Sequence, residues 1–270
     1  MKYKLIFWLF TTCHGYKNKP FKLPLYNNVV KDVVTNFPGA IREDHFIEQL
    51  YDVLHSYSES FGTNTLLATS FCCDEINREF EMKLGSVFGG SYFSLGGLAG
   101  FPFGGTTGFI AFSHHIPKSG SSIIIFGPHV GIDSSGNIGK ISRRGISSSS
   151  ICCGSAYAAF KNGVDCNTLE SDLEQNAVAL ALYKSNRIKK VLESEQPEVR
   201  LPHVLFEAQH EMIEKIIKKS AHNNIPENTY IAVIGGIHIN TPSTTSDFFL
   251  PLVFKIYNST GYIVNDFLKK

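Results

Sequence analysis

The sequence has almost no net charge, and it lacks both long apolar runs and the common phosphate-binding motifs. Its 25 Lys and Arg residues nearly balance its 24 Asp and Glu residues. That balance gives no electrostatic reason to expect a nucleic acid or an anionic membrane as a partner. No apolar stretch reaches the length of a transmembrane helix. The Gly-Lys-Ser/Thr ending of a phosphate-binding loop and the spaced glycines of dinucleotide-binding folds are also missing. We therefore expect neither a nucleotide-binding nor a membrane-spanning protein.

The composition is that of a globular protein, with 43% hydrophobic and 18% charged residues in a chain of 270. Residues 28–270 are predicted to form one domain. Residues 1–27 are predicted to be an N-terminal arm or a targeting presequence, because Lys2 and Lys4 precede a short apolar run. A presequence would direct the protein to a plastid or another organelle, and otherwise we expect a cytoplasmic protein.

The hydrophobic pattern alternates between apolar strands and amphipathic helices. Strands are predicted at residues 65–71, 121–127, 230–235 and 248–257, and helices at 44–57, 75–84, 155–162, 171–192 and 204–221. This alternation predicts an α/β fold with a largely parallel central sheet flanked by helices. Nine glycines lie between residues 85 and 108, interleaved with phenylalanines. Glycine at that density predicts close backbone approach.

The most informative residues follow the strand predicted at 65–71. The chain there reads Cys72-Cys73-Asp74-Glu75-Ile76-Asn77-Arg78. Charged groups at the end of a buried strand are costly to bury without partners. Thiolates are favoured zinc ligands, and an acid near an arginine is suited to controlling a metal-bound water. A helix-surface ion pair between Asp74 and Arg78 is the simpler alternative.

Two further groups could complete such a site. His129 directly follows the strand predicted at 121–127, and the adjacent pair Cys152-Cys153 precedes a predicted helix. Two thiolates and one imidazole form the ligand set of a catalytic zinc site with an open position. The alternatives are ordinary buried thiols, a hydrogen-bonded core histidine, or a Cys/His nucleophilic pair. His114 and His115 could be ligands, supporting groups or surface residues.

Several segments, taken in order, resemble the limiting-CO2-inducible B/C family, the theta-type carbonic anhydrases. The matching blocks are residues 68–78, 96–105, 114–117, 127–131, 152–155, 235–240 and 247–251. The resemblance implies a fold similar to that of beta carbonic anhydrases. It also implies Zn²⁺ held by Cys72, His129 and Cys153, beside a catalytic dyad of Asp74 and Arg78. Cys152 remains an alternative to Cys153, and Cys73 an alternative to Cys72.

The function implied by this resemblance is the reversible hydration of CO2 to bicarbonate at a zinc-bound hydroxide. The chain would then be a zinc lyase of a carbon-concentrating mechanism, acting as a homodimer or as a hetero-oligomer with a related chain. Phe101 and Phe103 are predicted to form an apolar wall that admits CO2. The alternative function is a catalytically silent, carbonic-anhydrase-like subunit or scaffold in inorganic-carbon handling.

Overall fold

The structure is a computed structural model that describes residues 28–269 apart from residues 63, 144, 166, 168 and 169. For residues 222 and 223 only the backbone is described. The N-terminal arm predicted at residues 1–27 lies outside the described residues. Among the described helices, none is both long enough and apolar enough to cross a membrane.

Among the described residues, eight strands form one central sheet and two more form a small separate ladder. The strands are β1 (Ile41–Arg42), β2 (Thr65–Ser70), β3 (Tyr92–Ser94), β4 (Ser121–Phe126), β5 (His129–Gly131), β6 (Lys140–Ile141), β7 (Ser150–Ile151), β8 (Tyr230–Asn240), β9 (Phe248–Asn258) and β10 (Ile263–Asp266). The main sheet runs β1-β9-β8-β4-β2-β3, with β5 beside β8 and β10 beside β9. All pairings among β2, β3, β4, β5 and β8 are parallel, whereas β9 pairs antiparallel with its neighbours. The predicted α/β fold with a largely parallel sheet is confirmed.

Helices cover both faces of this sheet. They are α1 (Asn28–Asn36), α2 (Glu43–Tyr57), α3 (Arg78–Val87), α4 (Gly105–Ser113), α5 (Gly154–Asn162), α6 (Leu173–Tyr183), α7 (Arg187–Leu192) and α8 (Pro197–Asn224). Successive side chains of a strand point to opposite faces. Accordingly, Ile124 and Phe126 pack with α1, α4 and α8, while Ile123 and Ile125 pack with α2 and α3. Each such fully buried side chain stabilises the fold by about 2 kcal/mol.

Two predicted helices differ from the observed ones. The helix predicted at residues 171–192 is broken between α6 and α7, where Ser185 and Asn186 have φ angles of 56° and 60°. A continuous α-helix cannot contain residues in this left-handed region. The helix predicted at residues 75–84 begins with a 3-10 turn, Glu75–Asn77, before α3 starts at Arg78. The Asp74 side chain caps this start by accepting a hydrogen bond from the backbone N–H of Ile76.

Glycines bring the loop that follows β3 onto the ends of β2 and β4. Gly100 has a φ angle of 82°, and a Cβ atom there would overlap the carbonyl oxygen of Gly127. A Cβ atom on Gly127 would in turn overlap the carbonyl oxygen of Gly236 in β8. Ser70 ties the layers together, because its hydroxyl donates to the carbonyl oxygen of Gly100 at 3.0 Å. Close backbone approach, predicted from the glycine density, is what the structure shows.

Replacing Gly127 with alanine is expected to lower the free energy of unfolding by about 3 kcal/mol, because the added methyl group meets backbone that cannot rotate away. Gly154→Ala is the matched control, since no heavy atom lies within 4 Å of the added Cβ. That variant should stay within about 0.5 kcal/mol of the parent protein. Urea unfolding of the three proteins measures both differences. Equal stability of Gly127→Ala and the parent would contradict the close approach.

Candidate metal centre

The carboxyl ends of parallel strands meet at one edge of the sheet, and three soft ligands converge there. Cys72 lies two residues past the end of β2, and His129 is the first residue of β5. Cys153 directly precedes α5. Although these residues are distant in sequence, one potential ligand atom from each lies within 4.8 Å of those from the other two, and all three side chains are buried. The fold therefore brings together the predicted Cys72, His129 and Cys153.

The separations within this cluster suit a tetrahedral zinc ion. Two sulfur atoms bound to such an ion at 2.3 Å would lie about 3.8 Å apart. The Sγ atoms of Cys72 and Cys153 are 3.8 Å apart. The Nε2 atom of His129 is buried and has no hydrogen-bond partner in the structure. A buried nitrogen without a partner is unfavourable unless a ligand satisfies it. The donor set therefore fits Zn²⁺ on both geometry and chemistry.

The close packing of the thiols around the imidazole shifts the pKa values of Cys72 and His129. The hydrogen bond with the Cys153 sulfur, together with burial, raises the pKa of the Cys72 thiol to about 12. Burial alone would lower the pKa of His129, but the sulfur atoms of Cys152 and Cys72 outweigh burial and raise that pKa well above its ordinary value. Metal ligands must be deprotonated, so a dication that binds here has to displace protons.

Cys152 occupies a different position from Cys153. Its Sγ atom lies 3.4 Å from Nδ1 of His129, the ring nitrogen other than the unpartnered Nε2. Asp74, His129 and Cys152 form a second group whose potential ligand atoms lie within 4.8 Å of one another. The two groups share His129, but only the group with Cys72 and Cys153 supplies two thiols. Zinc favours the pair of thiolates over a single thiolate with a carboxylate.

Asp74 stands at the rim of the cluster and is held there by an arginine. Its Oδ2 atom is 4.0 Å from Nε2 of His129. Both guanidinium Nη atoms of Arg143 donate to the two Asp74 carboxylate oxygens, at 2.8 and 2.7 Å. Two parallel charge-assisted hydrogen bonds of this kind fix the position and orientation of a carboxylate. Burial would raise the pKa of Asp74, but its hydrogen bonds, the largest from Arg143, and nearby positive charges lower the pKa to about 2.

The structure gives Asp74 a different arginine from the predicted one. Among the described contacts, none joins Arg78 to Asp74. Instead, Nη1 of Arg78 lies 2.7 Å from Oε2 of Glu81, one turn along α3, and its other Nη donates to the carbonyl oxygen of Cys72. Glu81 is almost fully buried, and burial raises its pKa. The Glu81 side chain is more deeply buried than that of Asp74, at 1% against 13% exposure, so it has the greater need of a cation, and Arg143 supplies the cation for Asp74.

Other predicted residues lie outside the cluster. His114 and His115 are exposed at the end of α4, and Cys73 is exposed beside Cys72. Phe101 is not a potential ligand, but it is buried in the part of the hydrophobic core that also contains Cys72 and Cys153. Phe103 packs against this part of the core. Arg143 and Asn240, to which the sequence pattern assigned no role, do contact the site. Asn240 is buried, and its Oδ1 atom is 2.9 Å from Nδ1 of His129.

One cavity is lined by candidate ligands of the centre, and a second is lined by Asn240 but by none of those ligands. The smaller, of about 40 Å³, is mostly apolar; besides His129, Cys152 and Cys153 it is lined by residues that include Val130, Ala156, Leu201 and Leu205. It has room for more than one water molecule. The larger, of about 690 Å³, is lined mainly by polar side chains, among them Lys83, Ser142, Asn240 and Asp247. Of these two cavities, the apolar one reaches His129 and Cys153, whereas the polar one is lined by none of the three potential ligands.

Comparisons with known proteins show the family of this chain and agree with its fold. A sequence profile of the limiting CO2-inducible proteins B/C beta carbonic anhydrases matches residues 40–258. The crystal structure of PtLCIB4, a homolog of the limiting CO2-inducible protein LCIB, is 38% identical, covers 88% of this chain and 99% of its own, and has a TM-score of 0.81. LCIB itself is 21% identical, covers 91% of this chain and 100% of its own, and has a TM-score of 0.62, which supports the fold alone. No curated protein sequence matches the chain.

Proposed function

The chain belongs to the family of limiting CO2-inducible proteins B/C beta carbonic anhydrases, and we propose that it is a zinc-dependent carbonic anhydrase that interconverts CO2 and bicarbonate. The observation that carries this proposal is the meeting of Cys72, Cys153 and the unpartnered Nε2 of His129. The 3.8 Å separation of the two sulfur atoms supports zinc as the metal. Zinc, when bound, would lower the pKa of a coordinated water towards neutrality.

Asp74 acts as the orienting group in this proposal. Its low pKa keeps the carboxylate ionised at neutral pH, so it can only accept hydrogen bonds. Lying 4.0 Å from Nε2 of His129, it is close enough to the centre to accept a hydrogen bond from the attacking oxygen. That hydrogen bond would aim a lone pair of the nucleophile at the carbon of CO2. The two hydrogen bonds from Arg143 hold the carboxylate in place, and with zinc bound they would keep it from becoming a ligand.

The apolar cavity is the proposed position of CO2. CO2 has no net charge or dipole and gains little from polar partners, so a small apolar space favours it over water. Val130, Ala156 and Leu205 supply such surface next to His129 and Cys153. Exclusion of excess water there would also strengthen the interaction of Asp74 with the reacting oxygen.

Metal analysis combined with a stopped-flow hydration assay tests the proposal. We expect about one zinc ion per chain, hydration that disappears when a chelator removes the metal, and recovery on addition of zinc but not magnesium. A protein that binds zinc but does not hydrate CO2 would be the silent subunit or scaffold. A protein without zinc whose activity is lost on thiol alkylation would instead be a cysteine hydrolase.

A further inference from the structure

The imidazole of His129 has different surroundings at its two nitrogens. Within the described part of the chain Nε2 has no hydrogen-bond partner, whereas Nδ1 lies 2.9 Å from the side-chain oxygen of Asn240. The Cys152 sulfur, 3.4 Å from Nδ1, is a longer and weaker contact. An amide oxygen only accepts hydrogen bonds, so this contact requires a proton on Nδ1. Nε2 is then the nitrogen that can bind a metal ion once the ion displaces any proton there.

The orientation of the Asn240 amide is fixed by a carboxylate. The Nδ2 atom of Asn240 donates to Oδ2 of Asp247 at 3.1 Å. If the amide were turned over, its oxygen would face an Asp247 oxygen, and its NH2 group would face the proton on Nδ1 of His129. Both hydrogen bonds would be lost in a buried place, where each unsatisfied group is unfavourable. Asp247 therefore determines which end of the amide faces His129.

Asp247 is itself held as an acceptor by Thr241, and the imidazole of His238 lies near it. The backbone N–H of Thr241 donates to Oδ1 at 2.7 Å, and the Thr241 hydroxyl lies 3.2 Å from the same oxygen. The Nε2 atom of His238 is 3.6 Å from Oδ2. The parallel strands also fix the distances, because β5 and β8 pair His129 with His238 and Gly131 with Asn240. The carboxylate, the amide and the imidazole thus form a chain of defined polarity on a rigid sheet.

We propose that Asn240 is a positioning residue that, oriented by Asp247, fixes the Nδ1–H form of His129 and aims its Nε2 atom at the metal. The inference rests on the proposed zinc site, yet it concerns a hydrogen-bond chain that exists without metal. Groups that support a ligating histidine in this way typically change metal affinity by about 10–100-fold when they are removed. Asn240 and Asp247 thereby become determinants of zinc affinity, although neither is a ligand.

Exchanging the two side chains provides a sharp test. Asn240→Asp alone puts two carboxylates in contact and should weaken zinc binding by about 10–100-fold. The double variant Asn240→Asp with Asp247→Asn keeps the total charge and reverses the donor and acceptor between the two positions. An acceptor for Nδ1–H of His129 remains, so zinc affinity should return to within about threefold of the parent protein. Competition with a chromogenic chelator measures these affinities.

Long-range ¹H–¹⁵N spectra of histidine-labelled protein provide a second readout that does not require metal or activity. Assignment uses His129→Gln. We expect a proton on Nδ1 of His129 in the parent protein and in the double variant, with and without zinc, and a displaced or broadened Nδ1–H signal in Asn240→Leu. Thermal unfolding of each variant separates a general loss of stability from a change at His129.

Different results would contradict the positioning role of Asn240 and the proposed hydration of CO2. A His129 whose Nδ1 carries no proton would overturn the positioning role, as would an exchanged double variant that binds zinc no better than Asn240→Asp alone. Neither result would touch the proposal that the protein hydrates CO2. Conversely, a zinc-loaded protein with the expected Nδ1–H signal but no hydration activity would remove the proposed function and leave the role of Asn240 intact.

Discussion

Replacing Cys72 with serine is expected to remove zinc and CO2 hydration together. A serine hydroxyl is a poor zinc ligand at neutral pH, and the remaining pair of His129 and Cys153 cannot complete the set of three protein ligands that catalytic zinc requires. Bound zinc should fall below about one tenth of an equivalent. Hydration should fall by at least about 1,000-fold, because nothing else in the centre acidifies water. Metal analysis and stopped-flow hydration on the same samples measure both losses.

The chain supplies a matched control one residue away. Cys73 is exposed, and Cys73→Ser should keep both zinc and activity. The adjacent pair in the second motif gives a parallel comparison. Cys153→Ser should behave like Cys72→Ser, whereas Cys152→Ser should keep the metal. A Cys72→Ser protein that retains zinc and hydrates CO2 would show that Cys72 is not a ligand.

Arg143→Ala is expected to leave zinc in place but to reduce hydration by about 100-fold. Without the guanidinium, the Asp74 carboxylate loses the two hydrogen bonds that fix it, at 2.8 and 2.7 Å. A freed carboxylate 4.0 Å from His129 could turn towards the metal and close the open position. Positioned groups of this kind contribute about 100-fold or more to reaction rates. A lowered kcat with full zinc occupancy would distinguish this effect from metal loss.

Two other arginines serve as comparisons. Arg42 pairs with Asp44 at the surface, and Arg42→Ala should change neither zinc content nor activity. Arg78→Ala leaves the buried Glu81 without its cation, so its main effect should be a loss of about 1–3 kcal/mol in unfolding free energy. If Arg78→Ala abolished hydration without destabilising the protein while Arg143→Ala had no effect, Arg78 would be the partner of Asp74 during catalysis.

The strand ends could be predicted from the sequence because they depend on local patterns. An apolar run that stops at Cys72 predicts a buried strand with polar groups at its carboxyl end, and β2 ends as expected. The length of β8 could not be predicted in this way. The predicted strand ends at Gly235. In the structure, Gly235 pairs with Val253 and Gly236 with Pro251, so a bulge in β9 takes up one residue and β8 continues to Asn240. A bulge depends on the partner strand, which no local pattern reveals.

The arginine that pairs with Asp74 could not be predicted from local sequence patterns either. Arg143 is 69 positions away in the chain. It lies on the connection between β6 and β7, where no hydrophobic periodicity predicts which way its side chain points. The family resemblance implied Arg78 as the partner of Asp74. In the structure Arg78 instead forms an ion pair with the buried Glu81. Which carboxylate an arginine joins depends on burial, and burial follows from the folded structure.

The separation of the two sulfur ligands has a consequence for how the protein matures. Cys72 and Cys153 are 81 positions apart, and parallel strand pairing has to be complete before their sulfur atoms meet. In small zinc domains the ion organises short loops and drives folding itself. Under the proposed function, ligands this far apart in the sequence would be brought together only by the folded sheet, so folding would precede metal loading. Zinc supply would then determine the active fraction of the protein, and bound zinc would add to the stability of a fold that forms without it.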